Sequence, residues 1–157
     1  MREKELVLGV IHEPNMNETF YSCEGDKAYM NKKVISVSKK SLLKDSLVAT
    51  GFPYTDYSRM KEYMGVFNEL MHKSHGVRRL GSAAVDLAYV ACGRFELFYE
   101  YGLQPWDVAA GAFLIKQAGG QVTDFKGGND YVFGEEIITA NRHIHQEFLT
   151  LLLQHFK

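Results

Sequence analysis

Between Gly81 and Gly120 the chain reads as helix, strand, helix, with punctuation at every junction. Residues 82–92, Ser-Ala-Ala-Val-Asp-Leu-Ala-Tyr-Val-Ala-Cys, form an apolar helix with Ser82 as its cap and Gly93 at its end. Residues 95–99 are apolar and aromatic, as a buried strand is. Residues 107–118 read as a second helix, capped by Asp107 and stopped by Gly119 and Gly120. Strands at 121–124 and 136–140 and a terminal helix over 143–156 continue the alternation. Strands alternating with helices argue for an α/β domain with helices packed on a sheet.

The stretch before it is richer in strands. Residues 6–11 are apolar and β-branched and end at Pro14-Asn15; residues 18–22 read as the partner in a hairpin, and Gly25-Asp26 as a turn. Residues 34–37 alternate apolar and polar, as a half-buried strand does. A strand at 46–50 closes with Gly51-Phe52-Pro53, and residues 77–80 are strand-like. Over 58–72, Met60, Tyr63, Met64, Phe67, Leu70 and Met71 recur at helical spacing. The opening hairpin has apolar residues at successive positions, so both its faces call for burial. A hairpin alone is marginal in water, and another part of a chain or another subunit is expected beside it.

With 157 residues, 46% of them apolar, the chain can bury one ordinary core. A formal net charge of −1 gives no bulk attraction to nucleic acid or to an anionic membrane. The aromatic residues are not interleaved with Lys and Arg and read as core. The two cysteines, Cys23 and Cys92, form no C-x-x-C pattern, so a reducing, cytoplasmic setting is expected, with Cys92 a small buried hydrophobe. Residues 1–5 are charged and lead into a short apolar run, which is neither a signal peptide nor a membrane span. His72 and His75, and His143 and His145, lack a Cys or acidic residue to complete a zinc set, and read as solvated or packing histidines.

The residues able to carry chemistry lie in the helix–strand–helix stretch. A carboxylate at the start of a helix, such as Asp107, has a fixed direction and can hold a hard cation; it can equally cap the helix, and the two roles use different oxygens. Gly81-Ser82 opens the other helix, where free N–H groups and the helix dipole favour an anion or an oxygen-rich ligand, or where Ser82 simply caps. Ala83 and Ala84 let a ligand or a backbone come close. Glu100 ends a strand seven residues before Asp107. Strand ends beside helix starts are where open α/β sheets bind ligands, although a solvated surface carboxylate is the plain alternative.

Taken together, Gly-Ser-Ala-Ala-Val-Asp-Leu-Ala-Tyr-Val-Ala-Cys-Gly-Arg, the strand ending at Glu100, and Pro-Trp-Asp-Val-Ala-Ala-Gly with Ala-Gly-Gly eleven residues after the Asp resemble the C-terminal motif of the inositol monophosphatase family. The hairpin around residues 8–20, the Ala28-Tyr29-Met30-Asn31 stretch and the Val37-Ser38 ending are similar to the middle of such enzymes, with a looser fit over 25–33. The resemblance implies the C-terminal part of a layered α-β-α-β-α sandwich, truncated at its N-terminus. Residues 1–50 would hold first-sheet strands and a connection, and residues 51–157 a C-terminal α/β domain. It further implies that Asp107 ligates a catalytic magnesium and that Glu100 hydrogen-bonds a substrate hydroxyl. Gly81, Ser82 and Ala83 would line the substrate pocket, Trp106 would pack under the site and orient Asp107, and Arg78 and Arg79 would precede the pocket.

The family's other metal ligands come from an upstream Glu and an Asp-Pro-x-Asp-Gly-Thr motif, and this sequence holds no such motif: Asp26, Asp45, Asp56, Asp124 and Asp130 occur singly. One Asp cannot hold the pair of ions that such a hydrolysis uses, so the catalytic set is incomplete and the chain alone is expected to be inactive or nearly so. The implied reaction is magnesium-dependent hydrolysis of a phosphomonoester, with inositol 1-phosphate as leading substrate. Fructose 1,6-bisphosphate or a 3′-phosphonucleotide is the alternative within the family, and a non-catalytic association domain the alternative outside it. An unpaired apolar edge tends to be covered by another chain, so a homo-oligomer is expected, with no nucleic-acid or membrane partner.

Overall fold

The computed structural model describes residues 5–156; the charged opening, residues 1–4, lies outside the described residues. β1 Leu8–Glu13 and β2 Glu18–Cys23 form the expected hairpin, which extends through β3 Tyr29–Met30 and β4 Lys33–Val34 into a four-stranded antiparallel sheet. Alternation along β1 and β2 turns Ile11 and Phe20 inward and Leu8 and Val10 outward. The strand expected over 34–37 pairs only at its start. Beyond it, the Ile35 and Val37 N–H groups donate to Ala28 O and Ala118 O at 2.9 and 3.1 Å, tying the connection to the layers beneath.

The second sheet has five strands: β5 Leu47–Thr50, β6 Gly76–Arg78, β7 Leu97–Tyr101, β8 Gln121–Thr123 and β9 Glu136–Ala140, in the order β6-β5-β7-β9-β8. β5 runs parallel to β6 and β7, and β9 is antiparallel to β7 and β8. The residue-50 division drawn from the sequence thus falls at the end of a second-sheet strand. α1 Met60–Lys73 joins β5 to β6, α2 Ala83–Ala91 joins β6 to β7, α3 Pro105–Gln117 joins β7 to β8, and α4 Arg142–Leu152 follows β9. β7 begins and ends two residues later than the sequence suggests, which places Glu100 inside it, opposite Ile137.

The layers run first sheet, α2–α3, second sheet, α1–α4. Ile11 and Phe20 of the first sheet and Phe98 and Ile137 of the second close on Leu87, Leu114 and their neighbours from α2 and α3. The opposite face of the second sheet, with Val48, Leu97, Tyr99 and Ile138, meets Tyr63, Val66 and Leu70 of α1 and Phe148 and Leu152 of α4. Both faces of this sheet are dry, as parallel strands require. The α1 stripe is narrower than its sequence spacing: Met64 and Met71 are exposed.

α2 and α3 pack closest of the helices, because a side chain at Gly111 would run into Leu87. That contact sets their starts side by side. α3 begins at Pro105 with Gln104 as its cap residue, so Asp107 is not the cap but the third helical residue. Pro105 fits the first helical position, where no N–H is needed. His145 is fully buried: its Nε2 meets Thr123 Oγ1 at 2.9 Å, and burial pushes its pKa down to about 4. It is a packing histidine, whereas His72, His75 and His143 are exposed.

Candidate active site

The carboxyl ends of the three parallel strands converge on the starts of α2 and α3. β5 delivers Gly51, β6 delivers Arg79 and Gly81, β7 delivers Glu100 and Gly102; Ser82 and Ala83 come from the start of α2, Trp106 and Asp107 from that of α3. Between them lies a cleft of about 250 Å³. Open α/β sheets bind ligands at such carboxyl ends, and two helix N-termini there favour negative charge or oxygen. Gly81, Ser82, Ala83, Glu100 and Asp107, separated in sequence, therefore line one cavity.

Local chemistry fixes each of them. Ser82 Oγ accepts the Val85 N–H at 3.5 Å, a long capping bond that leaves the hydroxyl exposed at the cleft. Asp107 Oδ2 accepts the Gln104 N–H at 2.9 Å, reaching back to the residue that starts the helix. Its other oxygen has no hydrogen bond among the described residues. Trp106 does not pack under the site: it is 78% exposed on the cleft rim, and the Gln104 N–H, not the indole, holds Asp107. Arg78 turns away, donating to Val77 O at 3.0 Å, while Arg79 reaches the cleft and donates to Tyr54 Oη at 3.3 Å.

Glu100 is buried, and its carboxylate lies against the Gly51 backbone so closely that a Cβ there would fall on both oxygens. Burial, reinforced by the negative charge of Asp86, pushes Glu100 up to about 7. Asp86, on α2, lines the same cleft, and burial raises it to about 7 against the pull of the Arg79 guanidinium. Sequence reasoning passed over Asp86, Gly51 and Tyr54. Asp86 had a signal: it is the one charged residue in the apolar run 83–92, and an acid inside an apolar helix is seldom buried without a reason. Gly51 and Tyr54 had none, since their places depend on strand and loop packing.

Residues 1–157 match the sequence model of the inositol monophosphatase family. The chain belongs to that family. It is 40% identical over 149 residues to the fructose-1,6-bisphosphatase/inositol-1-monophosphatase of Thermotoga maritima, which covers 94% of this chain and 56% of that relative. It is 37% identical over 148 residues to the Nus factor SuhB of Pseudomonas aeruginosa, covering 93% of this chain and 55% of the relative. Among solved structures, that of the extragenic suppressor protein suhB from Bartonella henselae superposes with a TM-score of 0.89 at 40% identity, over 93% of this chain and 56% of that one. This inositol-monophosphatase-family chain thus spans a little over half the length of these relatives.

The family's chemistry raises the question of a metal. Among the described residues no three His, Cys, Asp or Glu side chains come together to hold an ion. Magnesium takes about six oxygens in near-octahedral geometry and gives up water reluctantly. Among the described residues Asp107 offers one carboxylate oxygen without a hydrogen bond, and these residues do not fit the ion by themselves.

Proposed function

We propose that the cleft is the substrate half of a magnesium-dependent phosphomonoesterase site of the inositol monophosphatase type, acting on a small phosphorylated polyol such as inositol 1-phosphate. The observation that carries the reading is the convergence of Glu100, Ser82 and Asp107 on one cleft at the carboxyl ends of parallel strands. Glu100 accepts a ligand hydroxyl from its bed against Gly51. Gly81, Ser82 and Ala83 leave room for the ring and present backbone N–H groups. Asp107 contributes one ligand to an ion whose other ligands come from a segment carrying the Asp-Pro-x-Asp-Gly-Thr motif. The 157-residue chain alone does not turn over.

Phosphate release from inositol 1-phosphate, with magnesium and with EDTA, beside Asp107→Asn, tests this. No magnesium-dependent release is expected from the chain alone, and release is expected on adding a segment with that motif, lost again in Asp107→Asn. Magnesium-dependent turnover by the chain alone would overturn the assignment of a half site. Fructose 1,6-bisphosphate in the same assay separates the two activities named together in the Thermotoga relative.

A second reading rests on a different observation. Leu8, Val10 and Val34 on the outer face of the first sheet are 62%, 52% and 56% exposed. Apolar side chains so aligned favour association with a second copy. Light scattering on a size-exclusion column tests it: a dimer or larger species is expected, and a monomer at micromolar concentration would count against it.

A further inference from the structure

The cleft has a buried carboxylate oxygen to which the described residues supply no hydrogen bond. Asp86 is 1% exposed, and its Oδ1 is buried with no hydrogen bond among the described residues. It is the fourth residue of α2, past the free N–H groups of the helix start, and its own N–H donates to Ser82 O at 3.0 Å. Arg79 attracts it without a hydrogen bond, the guanidinium donating instead to Tyr54 Oη. Buried polar atoms are paired in the great majority of cases, and an orphan charge is costly enough that it needs a cause. No packing duty accounts for it, since an apolar side chain of similar size would fill the space without the penalty.

Its position supplies the cause. Asp86 lines the cleft beside Glu100, a second buried carboxyl with no hydrogen bond among the described residues. Two neighbouring acceptors repel a phosphate and call for donors, so the phosphate end of a ligand belongs towards the helix starts and its hydroxyl end towards this pair. We propose that Asp86 is a second hydroxyl acceptor of the cleft, set beside Glu100 so that the favoured ligand presents two neighbouring hydroxyls. The inference rests on the reading that the cleft takes a phosphorylated polyol, and it makes Asp86 a specificity residue. A site built around hydroxyls rejects an analogue lacking one, because a buried group is then left unpaired.

The test uses the isotope-labelled 157-residue chain, with amide chemical shifts read against myo-inositol, cyclohexanol and cyclohexylamine. Myo-inositol is expected to move the Gly51, Ala83, Asp86 and Gly102 amides saturably, and cyclohexanol, with one hydroxyl, to leave them in place. At pH 8, where both cleft carboxyls are ionised, Asp86→Asn should weaken myo-inositol by about tenfold, the worth of one hydrogen bond to a charged group. Asp86→Leu should abolish the shifts, and Asp86→Asn, which removes the unpaired buried charge at constant size, should raise Tm by about 2–4 °C.

Equal affinity of wild type and Asp86→Asn would overturn the proposal, and so would a Tm that falls in Asp86→Asn, which marks a structural role for the carboxylate. Cyclohexylamine binding better than myo-inositol would make the pair an ammonium site and sink the diol. Loss of binding in Glu100→Gln with Asp86→Asn unaffected removes Asp86 while leaving the polyol-phosphate reading intact. No shift with wild type removes the diol proposal too, and the phosphate-release assay then judges the phosphatase reading separately.

Discussion

The two sheets of this molecule are built to opposite rules. The first is antiparallel, covered by α2 and α3 on one face, and among the described residues nothing covers Leu8 and Val10 on the other. The second is covered on both faces, and its three parallel strands end together at the cleft. Parallel strands deliver their carboxyl ends, and the helix starts that follow, to one side of a sheet, whereas the two strands of a hairpin put their carboxyl ends on opposite sides. The second sheet can therefore assemble side chains that are far apart in sequence, and the first has a surface to offer.

The comparison breaks most easily in the core. Phe98→Ala, at a fully buried position of β7, is expected to cost about 3–5 kcal/mol in urea unfolding. A loss under about 1 kcal/mol would mean that the second sheet is not the dry layer described. Next comes the bed of Glu100. Gly51→Ala is expected to cost about 1–3 kcal/mol through overpacking. That cost should largely vanish in Gly51→Ala/Glu100→Ala, and simple additivity would show that the carboxylate does not rest there.

Acidity sharpens the contrast. In the first sheet, the Met16 N–H bonding Glu13 and the Arg94 guanidinium bonding Glu18 lower both carboxyls, so their stabilisation is present above the unfolded value of 4.5 and lost as pH falls below it. In the cleft, Asp86 and Glu100 are raised to about 7 in the fold from 3.8 and 4.5, so the folded state binds protons more tightly, and stability drains as pH rises from about 4 to about 7. His145 works the other way, losing stability as pH falls from 6.5 towards about 4. The expected signature is a stability–pH curve that, in Asp86→Asn/Glu100→Gln, loses its downward component across that window. Identical slopes in wild type and double variant would refute it.

The smallest effect is on the outer face. Leu8→Ser or Val10→Ser in a monomer is expected to change stability by no more than about 0.5 kcal/mol. A larger loss that grows with protein concentration would show the face to be covered, and the two sheets would then be alike in burial.

Much was legible in the residue order. The apolar runs with Gly and Pro between them placed the helices and strands, and the string around Trp106-Asp107 carried the family, since spacing between neighbours along a chain is a local property. The cap of α3 was displaced by three residues because Gln104 and Pro105 start the helix and a capping carboxylate can sit at either end of that first turn. Trp106 was misjudged because which way the first turn of α3 faces depends on how Gly111 seats it on α2.

What the sequence by itself determined, then, is the α/β alternation, the family and the presence of Glu100, Ser82 and Asp107 near element ends. Only the tertiary structure decided that these meet in one cleft, that Asp86 Oδ1 is buried there without a hydrogen bond among the described residues, and that Gly51 is the bed of Glu100. Burial and electrostatic pressure on a carboxyl arise from atoms supplied by distant segments, and no local pattern records which segments those are.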